Sequence, residues 1–226
     1  MCVRVPDRPG GVNDDRSLGV HRLFGFRRKR GLDRTGFTLY GHAVAAARNP
    51  VFYTDFAVAD TLDGRFDMVC LHVALLTRRC ARSQPILAQS VFDAMFDDMD
   101  SCLREAGVGD LGVPRRVKAM WEGFNGRART YARALDDQDA AALSGALQRN
   151  IWRGLDAAVP GTELAPGVQS PCGIQSRAQC LAGWTMRQDL ALAVQSDADL
   201  AAGSVHFLPP TAGSILAGEQ HDHSPA

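Results

Sequence analysis

Lysine and glutamate are scarce in this sequence. Only Lys29 and Lys118 are lysine and only four residues are glutamate, so arginine and aspartate supply nearly all of the 25 basic and 25 acidic residues. The formal net charge is zero, which argues against a uniformly basic, DNA-binding protein. The few glutamates include no Glu-x-x-His pair, which excludes the ligand pattern of a di-iron bundle. No DNA partner and no cofactor are expected.

Long apolar runs and targeting signals are also missing. The most apolar stretch, residues 68–76, contains His72 and is followed by two arginines, whereas a membrane-spanning helix needs ~20 apolar residues. Residues 1–20 lack the apolar core of a secretory signal and carry acidic residues that transit peptides avoid. We expect a cytoplasmic protein. A peripheral position on the inner face of the inner membrane is compatible with this expectation.

The six cysteines include no CxxC pair, so neither a zinc site nor a disulfide framework is indicated. Cys70, Cys80 and Cys102 lie within apolar helical patterns and are expected in the core. Hydrolase motifs such as GxSxG are absent, and the glycine-rich residues 107–112 join two helices instead of following a strand. His72 has no acidic partner at helical spacing, so it is interpreted as a core histidine. No catalytic residue, metal site or small-molecule substrate is predicted.

Apolar residues recur at three- and four-residue spacing from Thr38 onward, which is typical of amphipathic helices. The pattern predicts one all-α, bundle-like domain of about five to seven helices over residues 37–210, with a loop at 154–176. Residues 1–36 and 211–226 are expected to be disordered tails. Thr61 is a predicted N-cap, Pro114 suits the first turn of a helix, and Gly107 suits the end of one.

Some expectations concern individual positions in these helices. Trp121 falls in an apolar stripe with Met120 and Phe124 and is expected in the core, and Leu190 is likewise assigned to the stripe of the last helix. The glycines at 123 and 126 indicate a close helix crossing or a bend. Asp136 or Asp137 is expected to cap the following helix, and residues 51–56 are interpreted as an aromatic loop.

A basic arm at residues 21–34 precedes the helices. Phenylalanines are interleaved with its charges, so it suits either a solubilising tail or contact with an anionic surface, which could be a membrane leaflet or ribosomal RNA. The sequence does not choose between these. The candidate residues for anionic-surface contact are Arg22, Arg27, Arg28, Lys29 and Arg30.

Several long motifs resemble those of the ubiquinol–cytochrome c chaperone family. They are DTLDGRFDM at 60–68, FDAMFDDMD at 92–100, LREAGVGD at 103–110, VPRRVK at 113–118, LQRNIW at 147–152 and GSVHF at 203–207. The resemblance implies a bacterial, non-enzymatic assembly factor for respiratory complex III that binds newly made cytochrome b or another complex III subunit. A small helical enzyme, or an adaptor that binds membrane or RNA through the basic arm, is the alternative.

Candidate partner contacts follow from this interpretation. Charged residues could form a polar rim around a client site, and loop aromatics could contribute to it. Arg65 is unexpected near a helix N-terminus, so it should pair with an acid of another helix, such as the Asp97–Asp100 face, or contact a partner. The full set of candidates is Phe52, Tyr53, Asp63, Arg65, Asp67, Arg115, Arg116, Lys118 and Arg127.

Overall fold

The computed structural model of the chain describes residues 30–153 and 173–210, and all regular secondary structure in these ranges is helical. This confirms the all-α prediction; the described ranges hold eight helices, two of them only five residues long. The helices are α1 (Arg30–Ala47), α2 (Pro50–Thr54), α3 (Leu62–Ala81), α4 (Pro85–Glu105), α5 (Val113–Asp136), α6 (Ala140–Ile151), α7 (Ile174–Ala193) and α8 (Asp197–Ala201).

The helix ends follow their local sequence. The Thr61 hydroxyl accepts a hydrogen bond from a backbone N–H of α3 at 3.2 Å, as an N-cap does. Asn49 caps α2 in the same way, and Pro50 and Pro114 occupy the first turns of α2 and α5. Gly107 follows α4 with φ +80°, a conformation that favours glycine. The predictions for Thr61, Pro114 and Gly107 are confirmed.

Helix α3 is the central element of the fold. It packs against α1, α4, α5, α6 and α7, and the apolar side chains of Leu71, Val73, Leu75 and Leu76 are at most 1% exposed. Because neighbours surround it, α3 is apolar on several faces and not along a single stripe. One continuous core therefore extends from α1 to the C-terminal segment.

Two buried arginines near the end of α3 hold other helices in place. Arg78 donates to Asp136 of α5 at 2.8 Å and to Asp189 of α7 at 3.0 Å. Arg79 donates to the backbone carbonyl of Leu192 at 3.0 Å and to Asp197 of α8 at 2.7 Å. These charge-assisted bonds connect elements that are distant in sequence, so the helical pattern alone gave no indication of them.

Helix α1 begins at Arg30, earlier than the apolar pattern from Thr38 indicates, so the predicted tail at 1–36 is wrong for its last residues. Gly36 lies against α4: a Cβ atom there would be only 2.2 Å from the Ser90 Oγ. The close contact between α1 and α4 therefore requires a residue without a side chain at position 36. Hydrophobic periodicity does not reveal such a contact, because it depends on the positions of apolar side chains. The arm residues before Arg30 lie outside the described ranges.

Other local predictions are corrected. Residues 50–54 form α2 and not a loop, because a five-residue helix is too short to show periodicity. Asp139, not Asp136 or Asp137, caps α6, accepting a backbone N–H at 2.8 Å after Gln138 turns with φ +52°. Cys102 is exposed, although Cys70 and Cys80 are buried as expected. Of the predicted loop at 154–176, residues 154–172 lie outside the described ranges, as does the tail at 211–226.

The outer side of α5 differs from the prediction as well. Trp121 is 40% exposed, so it is not a core residue. The glycines at 123 and 126 face open space, with no atom within 4 Å of an added Cβ that a close crossing would require. Trp121 sits at the edge of the apolar stripe, where helical spacing does not distinguish burial from exposure.

Candidate functional site

The start of α3 places Arg65 and Asp63 at the surface. Arg65 Nε donates to Asp60 Oδ1 at 2.6 Å, and both side chains are more than half exposed. The predicted pairing of Arg65 with the Asp97–Asp100 face is therefore wrong. Tyr53 lies nearby, half-buried, and its hydroxyl donates to the backbone carbonyl of Ala47 at 2.9 Å. Burial raises the pKa of Tyr53 despite the attraction of Arg65.

Arg65 allows surface contact and folding to be tested separately. Arg65→Ala is expected to leave the melting temperature near that of the wild type, because water screens an exposed ion pair. If Arg65 contacts a partner, the folded variant should nevertheless fail to complement a strain lacking the wild-type protein. Arg104→Ala, which removes another exposed ion-paired arginine, is the matched control. Full complementation by folded Arg65→Ala would reject a partner contact.

Two predicted partner residues contact each other. Asp67 is buried, and its carboxylate accepts bonds from Arg127 at 2.5 Å and from Arg153 at 2.6 Å. The cluster joins α3, α5 and Arg153, the second residue after α6. Arg153 was not among the sequence candidates, because its partner lies 86 positions away. Because Asp67 and Arg127 are paired and largely buried, their primary role is to connect α3 with α5 and not to contact a partner.

Phe52, also a predicted partner contact, lies in the core. It is 0% exposed, and its ring centroid lies 5.1 Å from that of Trp184 and 5.4 Å from that of His72. His72 is fully buried as predicted, and its Nδ1 lies 2.8 Å from the Met68 carbonyl oxygen. Phe52 thus offers no surface to a partner in this structure.

The first turns of α5 carry exposed basic side chains. Arg115, Arg116 and Lys118 are exposed, and Lys118 lies 3.8 Å from Glu122. In the part of the chain that the structure describes, no acid pairs with Arg115 or Arg116. These three candidates lie together at one end of α5, apart from Arg65 and from the Asp67 cluster.

An apolar surface that sequence reasoning missed runs along α7. Leu190 is 65% exposed and Val194, immediately after the helix, is 85% exposed; Met186 is half-buried one turn earlier. At spacings of four residues, the three share one side of the helix. The assignment of Leu190 to the core is therefore wrong. We call Met186, Leu190 and Val194 the outer face of α7.

The opposite side of α7 packs in the core, with Leu181, Trp184 and Leu192 all at most 2% exposed. The helix also carries polar residues, among them the exposed Arg187. The four-residue spacing of Met186, Leu190 and Val194 is the sequence signal from which the outer face could have been found. Such a face can bind an apolar helix through hydrophobic burial, without polar groups or catalysis.

No helix in the described ranges is long and apolar enough to cross a membrane. Nor do three metal-ligating side chains converge anywhere within residues 30–153 and 173–210.

Comparisons with known proteins agree on one family. The family model described as ubiquinol-cytochrome C chaperone matches residues 54–207, from the end of α2 to Phe207. The chain is also similar to a solved structure described as the Cbp3 homolog from Brucella abortus, with a TM-score of 0.61 and 35% sequence identity. That similarity covers 84% of this chain and 96% of the other. Among curated proteins there is no significant match.

Proposed function

Since the chain belongs to the ubiquinol-cytochrome C chaperone family, we propose that it is a non-enzymatic assembly chaperone for respiratory complex III. We further propose that its client is newly made cytochrome b, whose apolar segments need cover before they are assembled. The proposed place of action is the inner face of the inner membrane, where such a client is inserted. An engaged ribosome would be compatible with this role.

The outer face of α7 is the observation that carries the proposal. A chaperone for an apolar helix needs an exposed apolar surface that is stable without its client. Leu190 and Val194 provide it, because the opposite side of α7 is fixed in the core by Trp184 and Leu192. The exposed Arg187 borders this face, so its apolar part is centred on Leu190 and Val194.

Client binding can be tested by crosslinking. A photo-crosslinking amino acid at Leu190 should capture newly made cytochrome b in a membrane preparation, whereas the same probe at Leu62 should not. Leu62 is the matched control because it is 81% exposed on a different helix. Capture of cytochrome b from Leu62 as efficiently as from Leu190 would contradict the assignment of the outer face.

Substitution provides an independent test of the same surface. Leu190→Asp should leave the fold intact, because the side chain is mostly exposed, but weaken client binding about tenfold or more through lost apolar burial. The measurement is the spectroscopic level of cytochrome b in a strain that depends on the variant. Leu62→Asp should retain the wild-type level. A wild-type level in the Leu190→Asp strain would show that the client binds elsewhere.

A further inference from the structure

The last described residues run as an extended segment beside α7. Gly203 turns the chain out of α8 with φ +84°, and Val205 is anchored in the core at 4% exposure. Beyond this anchor, Phe207 is half-buried and Leu208 is 39% exposed. We call residues 206–208 the strap.

The strap is held largely through its main chain. The Gln195 side chain donates to the His206 carbonyl at 2.7 Å and accepts from the His206 N–H at 2.9 Å. The Gln188 side-chain oxygen accepts from the Leu208 N–H at 2.6 Å. Because these bonds involve backbone atoms, they would hold any extended segment of similar shape.

Phe207 packs against His72, which is one of several buried residues with a polar atom that lacks a partner. Its ring centroid lies 5.4 Å from that of His72, and the Trp184 ring lies 5.3 Å from His72 on another side. Within the described residues, His72 Nε2, Trp184 Nε1 and Gln188 Nε2 are buried without a hydrogen-bond partner. Each of these residues is at most 2% exposed, so the unmet bonds carry a real cost in free energy.

The chemistry of the missing partner can be deduced. His72 Nδ1 faces a carbonyl oxygen, which only accepts, so Nδ1 must carry the proton. Burial lowers the pKa of His72 to about 4, so the ring is neutral near pH 7 and Nε2 is an acceptor. Trp184 Nε1 and Gln188 Nε2 are donors. A group that both donates and accepts would match this set, and the phenolic hydroxyl of tyrosine is such a group.

We propose that the groove between α3 and α7 under the strap is a binding site for an extended segment of another protein that carries a tyrosine. The strap occupies this site in cis, with Phe207 in the position of the tyrosine ring. It is an incomplete ligand, because it supplies the backbone contacts and the ring but not the hydroxyl. The site is separate from the outer face of α7 and does not depend on the proposed client.

Peptide binding to the full-length chain tests the proposal. Two labelled peptides are compared by fluorescence anisotropy: residues 203–210, and the same peptide with tyrosine in place of phenylalanine. The tyrosine peptide should bind about tenfold more tightly, the value expected for one additional satisfied hydrogen bond. Phe207→Ala should bind both peptides more tightly than the wild type, since its own strap competes less. Leu208→Ala is the control, because it shortens a neighbouring strap side chain but leaves the Phe207 ring in place.

A second variant should change peptide binding in the direction opposite to Phe207→Ala, and it keeps the aromatic ring in place. Phe207→Tyr should raise the melting temperature and reduce peptide binding, because the cis strap then supplies the hydroxyl. A lower melting temperature for Phe207→Tyr, equal binding of the two peptides, or no binding by folded Phe207→Ala would each overturn the proposal. Dimers formed by exchanged straps, seen by light scattering, would identify a second copy as the occupant and overturn it too.

Discussion

Replacing Trp152 with alanine is expected to lower the free energy of unfolding by about 3–5 kcal/mol, the range for truncating a buried aromatic side chain. Trp152 directly follows α6 and is 1% exposed. Its indole Nε1 lies 3.2 Å from the carbonyl oxygens of both Phe56 and Ala57, in the turn that leads from α2 towards α3. Truncation would leave a cavity and remove the donor shared by these carbonyls.

Trp121→Ala provides the comparison for this prediction. Trp121 has the same chemistry but is 40% exposed on α5, so its truncation should cost under about 1 kcal/mol. Both variants can be measured by urea unfolding followed by circular dichroism. Trp152→Phe would separate the two contributions, because it keeps most of the packing and loses only the indole donor. Equal losses for the two alanine variants would contradict the burial described for these residues.

Acidification from pH 6.5 to pH 4 is expected to destabilise the protein by about 3 kcal/mol through His72 alone. Burial among Phe52, Trp184 and Phe207 lowers the pKa of His72 from its ordinary 6.5 to about 4, because a charged ring would lose its hydration there. Below pH 6.5 the His72 side chain binds a proton in the unfolded chain but stays neutral in the folded chain until the pH approaches 4. The stabilisation is therefore complete above pH 6.5 and is lost progressively down to pH 4.

Carboxylates lose their contribution in a lower pH range. Hydrogen bonds from Arg78 lower the pKa of Asp136, and bonds from Ser83 and Arg79 lower that of Asp197, so the stabilisation from these two carboxylates is lost only below the ordinary pH range of aspartate. Burial, in contrast, raises the pKa of Asp67, so a His72 variant is needed to isolate the contribution of His72 between pH 6.5 and pH 4. His72→Leu should flatten the stability curve there, whereas substitution of the exposed His42 by glutamine should not. Parallel curves for wild type and His72→Leu would refute the assignment.

The candidate site was predictable only in part. Arg115, Arg116 and Lys118 are exposed at the surface, as their charge suggests, and Arg65 is exposed as well. Asp67 and Arg127, however, pair with each other across 60 positions in the sequence. Charge alone cannot distinguish a residue that contacts a partner from one whose counter-ion lies elsewhere in the same chain.

The sequence by itself determined the all-α class, most of the helix ends and the family, because these depend on local spacing, capping residues and long motifs. The tertiary structure decided which apolar residues are covered. Trp121 and Leu190 fit helical stripes yet are exposed, while Phe52 fits a loop yet is fully buried. The physical reason is that periodicity identifies a helix face but not its neighbour; whether a face lies in the core or at the surface depends on contacts between helices far apart in sequence.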